Sequence, residues 1–162
     1  MPQRNAAALD FLLTRRSRPA KTLRPPVPSE DELQTLLTAA ARSPDHGKLE
    51  PWRFVVLKKP ALDRLAAAVP AAGETAREGP ERIEKMQRQF ADAELAVAVV
   101  AAPKPSEKIP EIEQLYSAGA VCLALLNAAL AAGWGANWLT GWAAHDRAFV
   151  ETHLGLAPQE RV

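Results

Sequence analysis

Residues 43–57 read Ser43-Pro44-Asp45-His46-Gly47-Lys48-Leu49-Glu50-Pro51-Trp52-Arg53-Phe54-Val55-Val56-Leu57. Pro44 and Pro51 stiffen the first part. Between them Asp45, His46, Lys48 and Glu50 crowd ionisable groups together. Stiff polar loops often build sites, and the same composition also describes a solvated turn. The second part, 53–57, carries an unbroken apolar run, which predicts a strand buried on both faces. Leu95 opens a second such run, 95–102. With a third strand or extended segment expected over 134–139, three strand signals among helices give an α+β or α/β class, with a small, thin sheet.

Upstream of the opening stretch, Leu9, Phe11, Leu12 and Leu13 predict a short helix over 6–16 with a basic end. Pro19 and the run Pro25-Pro26-Val27-Pro28 then call for extended chain. Ser29 with Glu32 is a capping box that opens a helix to about Arg42, with Leu33, Leu36, Leu37 and Ala40 as its stripe. Downstream, Pro60 starts a helix to about Val69. An exposed connection is expected over 70–80, and a solvated charged helix over 81–90. The longest helix is expected from Glu111 to about Ala132, its second half a buried core segment closed by Gly133. A third strand or extended segment is expected over 134–139. Asp146 is expected to cap a last helix stopped by Gly155.

The chain has 162 residues, a length that fits one domain and buries roughly 70% of its unfolded surface on folding. It holds 32 alanines and 45 larger apolar residues, a composition that favours closely packed helices. Twenty basic and 19 acidic residues give a net charge of +1, with no electrostatic footprint for nucleic acid or an anionic membrane. The start, Met1-Pro2-Gln3-Arg4-Asn5, has no signal-peptide pattern, and the run 95–102 is too short to span a bilayer. Cys122 stands alone, so a reducing compartment, the cytoplasm, is the simple expectation.

Several chemistries find no support. Gly133-Trp134-Gly135 follows a helix, not a strand, so it is no dinucleotide loop. His46, His145 and His153 have no metal-ligand spacing with one another or with Cys122, and no metal is expected. No serine has a nucleophile-elbow setting. Cys122 lies within an apolar helical run, the setting of a core residue more than of a reactive thiol.

Three segments remain as candidates. Arg15-Arg16-Ser17-Arg18 offers guanidinium forks and a hydroxyl suited to a phosphate, or simply a basic helix end. The second is the 43–52 loop. The third, Gly133-Trp134-Gly135-Ala136-Asn137-Trp138-Leu139-Thr140-Gly141-Trp142, permits close backbone approach and could line a flat aromatic ligand, or pack as an irregular interface strand.

Their order along the chain carries more than each alone. Arg-Arg-Ser, then Pro-Asp-His…Glu-Pro-Trp-Arg-Phe, then Ala-Ala-Gly-Trp-Gly-Ala-Asn-Trp resembles the FMN-dependent nitroreductase family, and most of all its small, minimal members. The resemblance runs from about Ala8 to Leu156. It implies an α+β nitroreductase-like fold over 1–162, with a small central mixed or antiparallel sheet surrounded by helices, in a homodimer with two FMN sites at the subunit interface. Arg15, Arg16 and Ser17 would hold the phosphate, ribityl and pyrimidine side of FMN. Arg42 would lie against the flavin. Pro44, Asp45 and His46 would reach the flavin of the partner, with His46 the contact. Trp138, Leu139 and Thr140 would line the ring or phosphate. Ala128, Ala129, Leu130, Ala131, Ala132 and Gly133 would face the nicotinamide side.

The activity implied is passage of hydride from NAD(P)H through flavin N5 to a nitroaromatic, quinone or similar acceptor, in a ping-pong scheme that needs no protein nucleophile. A guanidinium from Arg15 or Arg16 would stabilise charge on the reduced flavin. Glu50 departs from the family, which commonly has glutamine there. Family members also continue past the Val162 position with a further strand, so the chain is expected to stop short of it. A non-catalytic flavin or small-ligand binder on the same fold is the alternative, and a ligand-free helical interaction module would leave the motif order unexplained.

Overall fold

A computed structural model describes residues 3–162; Met1 and Pro2 of the opening stretch lie outside the described residues. Helices α1 (Ala6–Thr14) and α2 (Glu30–Ala40) precede strand β1 (Trp52–Lys58). Helices α3 (Lys59–Thr75) and α4 (Pro80–Ala91) lead to β2 (Leu95–Ala101). Then come α5 (Glu111–Ala131), α6 (Trp142–His145) and α7 (Arg147–Leu154).

The strands pair antiparallel, with Phe54 opposite Val99 and Val56 opposite Val97. They form a two-stranded sheet, smaller than expected. The segment 134–139 forms no strand: the Ala136 carbonyl accepts from the Arg18 amide, the Trp134 amide donates back to Ala129 of α5, and neither bond joins the ladder. Most strand residues are half-buried and only Leu57 and Val100 are closed off, so burial on both faces is not seen within one chain. Arg161 returns to the free side of β2 and exchanges both backbone hydrogen bonds with Ala101, at 2.8 and 3.0 Å.

The main core gathers Leu57 of β1, Leu62, Leu65 and Val69 of α3, Met86 of α4, Ala143 of α6 and Phe149 of α7. The ring of Phe149 sits 6.2 Å from that of Phe90 and 6.3 Å from that of Trp142. Two expectations fail here for one physical reason. Helix α3 continues through Pro70 to Thr75, where an exposed connection was expected. Helix α4 is amphipathic, not wholly solvated, since Met86 is buried and Ile83 and Phe90 pack on the core. The close packing of α3 on α4 sustains both: the Ile83 side chain fills the space where a Cβ on Gly73 would stand. Tertiary burial outweighs a local helix breaker.

Local signals hold elsewhere. Ser29 Oγ accepts from the Glu32 amide and the Glu32 carboxylate accepts from the Ser29 amide, closing the capping box. Asp146 Oδ1 accepts from the Phe149 amide at 2.7 Å and starts α7, and Gly155 stops it at φ +65°. Helix α1 ends at Thr14, two residues short of expectation, as Arg15 turns extended.

Helix α5 packs on α2 and β2 and buries Ala118, Val121, Leu126 and Ala129. Its second half is not the buried core segment expected, since Leu123, Ala131 and Ala132 are exposed, as are Ile112 and Tyr116 in the first half. By length and composition alone α5 is long and apolar enough to cross a membrane, a test that packed helices of globular domains also pass. Helix α1 buries none of its residues, and Leu9, Leu12 and Leu13 face solvent.

Candidate functional site

The first and third candidate segments lie side by side. The Arg18 amide donates to the Ala136 carbonyl at 2.9 Å, and Asn137 Nδ2 donates to the Arg18 carbonyl at 2.8 Å. Leu23 and Arg18 side chains close over Gly135, where a Cβ would meet Leu23 at 2.8 Å. A glycine there permits this close approach. The seam places Arg15, Arg16 and Ser17 in the segment alongside the one that carries Trp138, Leu139 and Thr140. Trp138 and Leu139 are about half exposed, at 50% and 49%.

Arg15 Nη2 donates to Ser17 Oγ at 3.2 Å, and Arg16 Nη1 donates to the Arg15 carbonyl at 3.3 Å. Among the described residues, Arg15, Arg16 and Arg18 have no carboxylate within ion-pair distance. Arg15 Nε is buried and has no hydrogen-bond acceptor. A buried donor left unpaired costs about 1–3 kcal/mol, so this guanidinium is arranged for an acceptor the chain does not itself supply. Cationic forks beside a serine hydroxyl and an exposed tryptophan suit a phosphate-bearing aromatic group, and FMN fits that donor set.

The second candidate segment is elsewhere. Arg42, Ser43 and Pro44 line an open cavity of about 320 Å³ against Leu123 and Asn127 of α5. Asn127 Oδ1 is buried without a donor. Asn127 was not singled out from sequence; its polarity within an apolar run was the available signal. Further along, Asp45 Oδ2 accepts from the Glu50 amide at 2.6 Å, and His46 Nδ1 pairs with Glu113 Oε2 at 2.8 Å.

Glu113 is in the first turn of α5 and Gly133 follows its last. Twenty residues of helix separate them by about 30 Å. His46 is thus tied to the start of α5, whereas the segment bonded to Arg18 follows its end. At the far end, Ala128, Ala129, Leu130, Ala131 and Ala132 finish the helix. Gly133 closes it at φ +87°, its amide bonded to the Leu130 carbonyl and the Trp134 amide to the Ala129 carbonyl. Residues 131–133 are small and exposed, which leaves an open surface.

The remaining reactive groups are quiet. Burial pushes the Cys122 thiol up, away from thiolate chemistry. Among the described residues no three His, Cys, Asp or Glu side chains gather as a metal site.

Residues 12–162 match the model of the Nitroreductase family. The chain belongs to the nitroreductase family, and so to the oxidoreductases. It is similar to the Escherichia coli (strain K12) protein named "Putative NAD(P)H nitroreductase YdjA", at 33% identity over 155 residues, which cover 96% of this chain and 83% of that protein. Its fold is similar to the Nitroreductase-like Family Protein from Bacillus cereus, with a TM-score of 0.76 and 22% identity over 99% of this chain and 83% of that one. It is also similar to a nitroreductase from Bacteroides fragilis solved with bound FMN, with a TM-score of 0.71 and 19% identity over 98% and 84% of the two chains.

Proposed function

We propose that two copies of this chain pair along the exposed faces of α1 and α5 and hold FMN at the seam between them. The bound FMN would supply a two-electron relay from NAD(P)H to a nitroaromatic, quinone or similar acceptor. The observation that carries this reading is the arginine cluster, with a buried Arg15 Nε that has no acceptor of its own.

Each part of the chain has a role in that reading. Arg15 and Arg16 donate to the phosphate and to the pyrimidine edge, where a fixed positive charge favours the reduced form. Ser17 adds a hydroxyl. Trp138 and Leu139 shield the ring from water, and Thr140 contributes a further hydroxyl. Arg42 lies against the flavin, and Pro44, Asp45 and His46 come from the second copy, a reading supported by the placement of His46 at the opposite end of α5 from the segment that Arg18 binds. The small residues Ala131, Ala132 and Gly133, with Ala128, Ala129 and Leu130 behind them, leave room on the nicotinamide side. The unpaired Cys122 supports a reducing compartment, the cytoplasm, as its place of work.

The test is a visible spectrum of the purified protein before and after FMN addition and desalting, followed by NADPH or NADH without oxygen. A retained flavin band that bleaches supports the proposal. A retained band that neither nucleotide bleaches favours a non-catalytic flavin binder. No retained band overturns the FMN site. Arg16→Ala should weaken FMN binding by about tenfold, the loss of one charge-assisted contact worth about 1.5 kcal/mol. Unchanged affinity would remove Arg16 from the site.

A further inference from the structure

The imidazole of His46 is held by a group 67 residues away in sequence. Its Nδ1 lies 2.8 Å from Glu113 Oε2, in the first turn of α5. An ionised carboxylate only accepts, so Nδ1 carries the proton in this pair. That leaves Nε2 as the free ring nitrogen, a hydrogen-bond acceptor when the ring is neutral. We infer that Glu113 is a positioning residue for His46: it sets the tautomer and the direction of the ring, so that Nε2 is presented to the ligand. The inference rests on the reading above that His46 faces the flavin of the partner copy.

The loop around His46 is already fixed, and by contacts that leave the ring free. Gly47, Lys48 and Glu50 have φ of +73°, +55° and +48°. Two of these are not glycine, and such residues persist only where the surroundings over-determine the backbone. The Asp45 carboxylate supplies one restraint by accepting from the Glu50 amide. The buried Ile109 side chain supplies another by occupying the space a Cβ on Gly47 would need. Both act on the backbone. Among the described residues, Glu113 is the hydrogen-bond partner that orients the imidazole itself.

The pair is not there to hold the fold. The His46 and Glu113 side chains are 64% and 46% exposed, and exposed pairs of this kind contribute little to stability. Orientation is the remaining consequence, in the same way that a carboxylate fixes the tautomer of a ligating or catalytic histidine.

Nitrogen-proton correlation spectra of the imidazoles read the tautomer directly, without cofactor. They should be recorded at about pH 8, where an ordinary imidazole is neutral, with His46 assigned by the signal lost in His46→Ala. The protein should show His46 protonated at Nδ1. Glu113→Ala should move it toward the Nε2-protonated form that imidazoles favour in water, and Glu113→Gln, which keeps an accepting oxygen, should restore Nδ1–H. In parallel, FMN affinity should fall several-fold in Glu113→Ala and recover in Glu113→Gln, with an unchanged Tm throughout. An Nε2-protonated His46 in the parent protein, or a tautomer indifferent to Glu113→Ala, overturns the inference even if FMN binds. Failure of the parent protein to bind FMN would instead overturn the flavin reading, while the tautomer result would still judge the role of Glu113.

Discussion

Two regions of this molecule treat their apolar residues in opposite ways. Around α3, α4 and α7, Leu62 and Val69 are fully shielded and Phe149 is wedged between Phe90 and Trp142. Across α1 and the outer side of α5, Leu13 is 70% exposed, Tyr116 69% and Leu12 58%. Leu9, Leu12 and Leu13 recur at helical spacing, as do Ile112, Tyr116 and Leu123, so these are stripes and not scattered residues. Single exposed apolar side chains are ordinary, but stripes of them mark a surface meant to be covered. The first region is complete within one chain. The second is left open within one chain, and the proposed pairing would cover it.

The sharpest way to break this contrast is to damage each region in turn. Leu62→Ala removes a side chain with no exposure and leaves a cavity. It should cost about 4 kcal/mol, and thermal denaturation should show a Tm lower by about ten degrees at every protein concentration. Leu13→Asp should act on assembly instead. Sedimentation equilibrium should show self-association weakened by at least about a hundredfold, close to 3 kcal/mol, with the circular dichroism of the fold retained. Parent protein that sediments as a monomer would remove the contrast altogether.

The sealed region was the more legible in sequence. The capping box at Ser29, the Asp146 cap and the Gly155 stop were read correctly because each is a local signal with its own chemistry. The two strands were read from their apolar runs, and the order of three motifs pointed to the family to which the chain belongs. Misreadings arose where tertiary packing decided the outcome. Pro70 and Gly73 looked like parts of an exposed connection, yet Ile83 packs against Gly73 and the helix continues. Residues 134–139 fitted either a strand or an extended segment, and they form no strand because Ala136 and Asn137 bond to Arg18. The apolar second half of α5 signals burial without saying what buries it. For the candidate site, the sequence identified the arginines and the loop, but the orphaned Asn127 Oδ1 and the Glu113–His46 pair required coordinates.

A smaller effect should come from the clasp that joins the end of the chain to the sheet. Arg53 of β1 donates to Glu160 at 2.7 and 2.6 Å, and Glu160 is buried. The hydrogen bonds from Arg53 hold the Glu160 carboxyl below its ordinary value, against the opposing effect of burial. A lowered carboxylate contributes stability that is complete above its unfolded pKa, about 4.5, and is lost as pH falls through the lower folded value. Glu160→Gln should therefore cost about 2 kcal/mol near neutral pH. The loss should shrink on acidification below about pH 4, as urea denaturation at several pH values would show. A pH-independent difference would mean that shape, not charge, carries the clasp.

The finest comparison uses two glycines that end helices in the two regions. Gly155 closes α7 at φ +65° and Gly133 follows α5 at φ +87°. A Cβ added at either would meet nothing within 4 Å, so each substitution by alanine tests backbone conformation alone. Both should cost about 1 kcal/mol in urea denaturation, the usual penalty for a side chain in the left-handed region. Beyond that shared cost the two should part. Gly155 belongs to the sealed region, and Gly155→Ala should leave FMN affinity where it was. Gly133 turns the chain between the small exposed end of α5 and the segment bound to Arg18, so Gly133→Ala should also weaken FMN binding by a few-fold. Equal FMN affinity in the two variants would mean that the end of α5 serves only the fold.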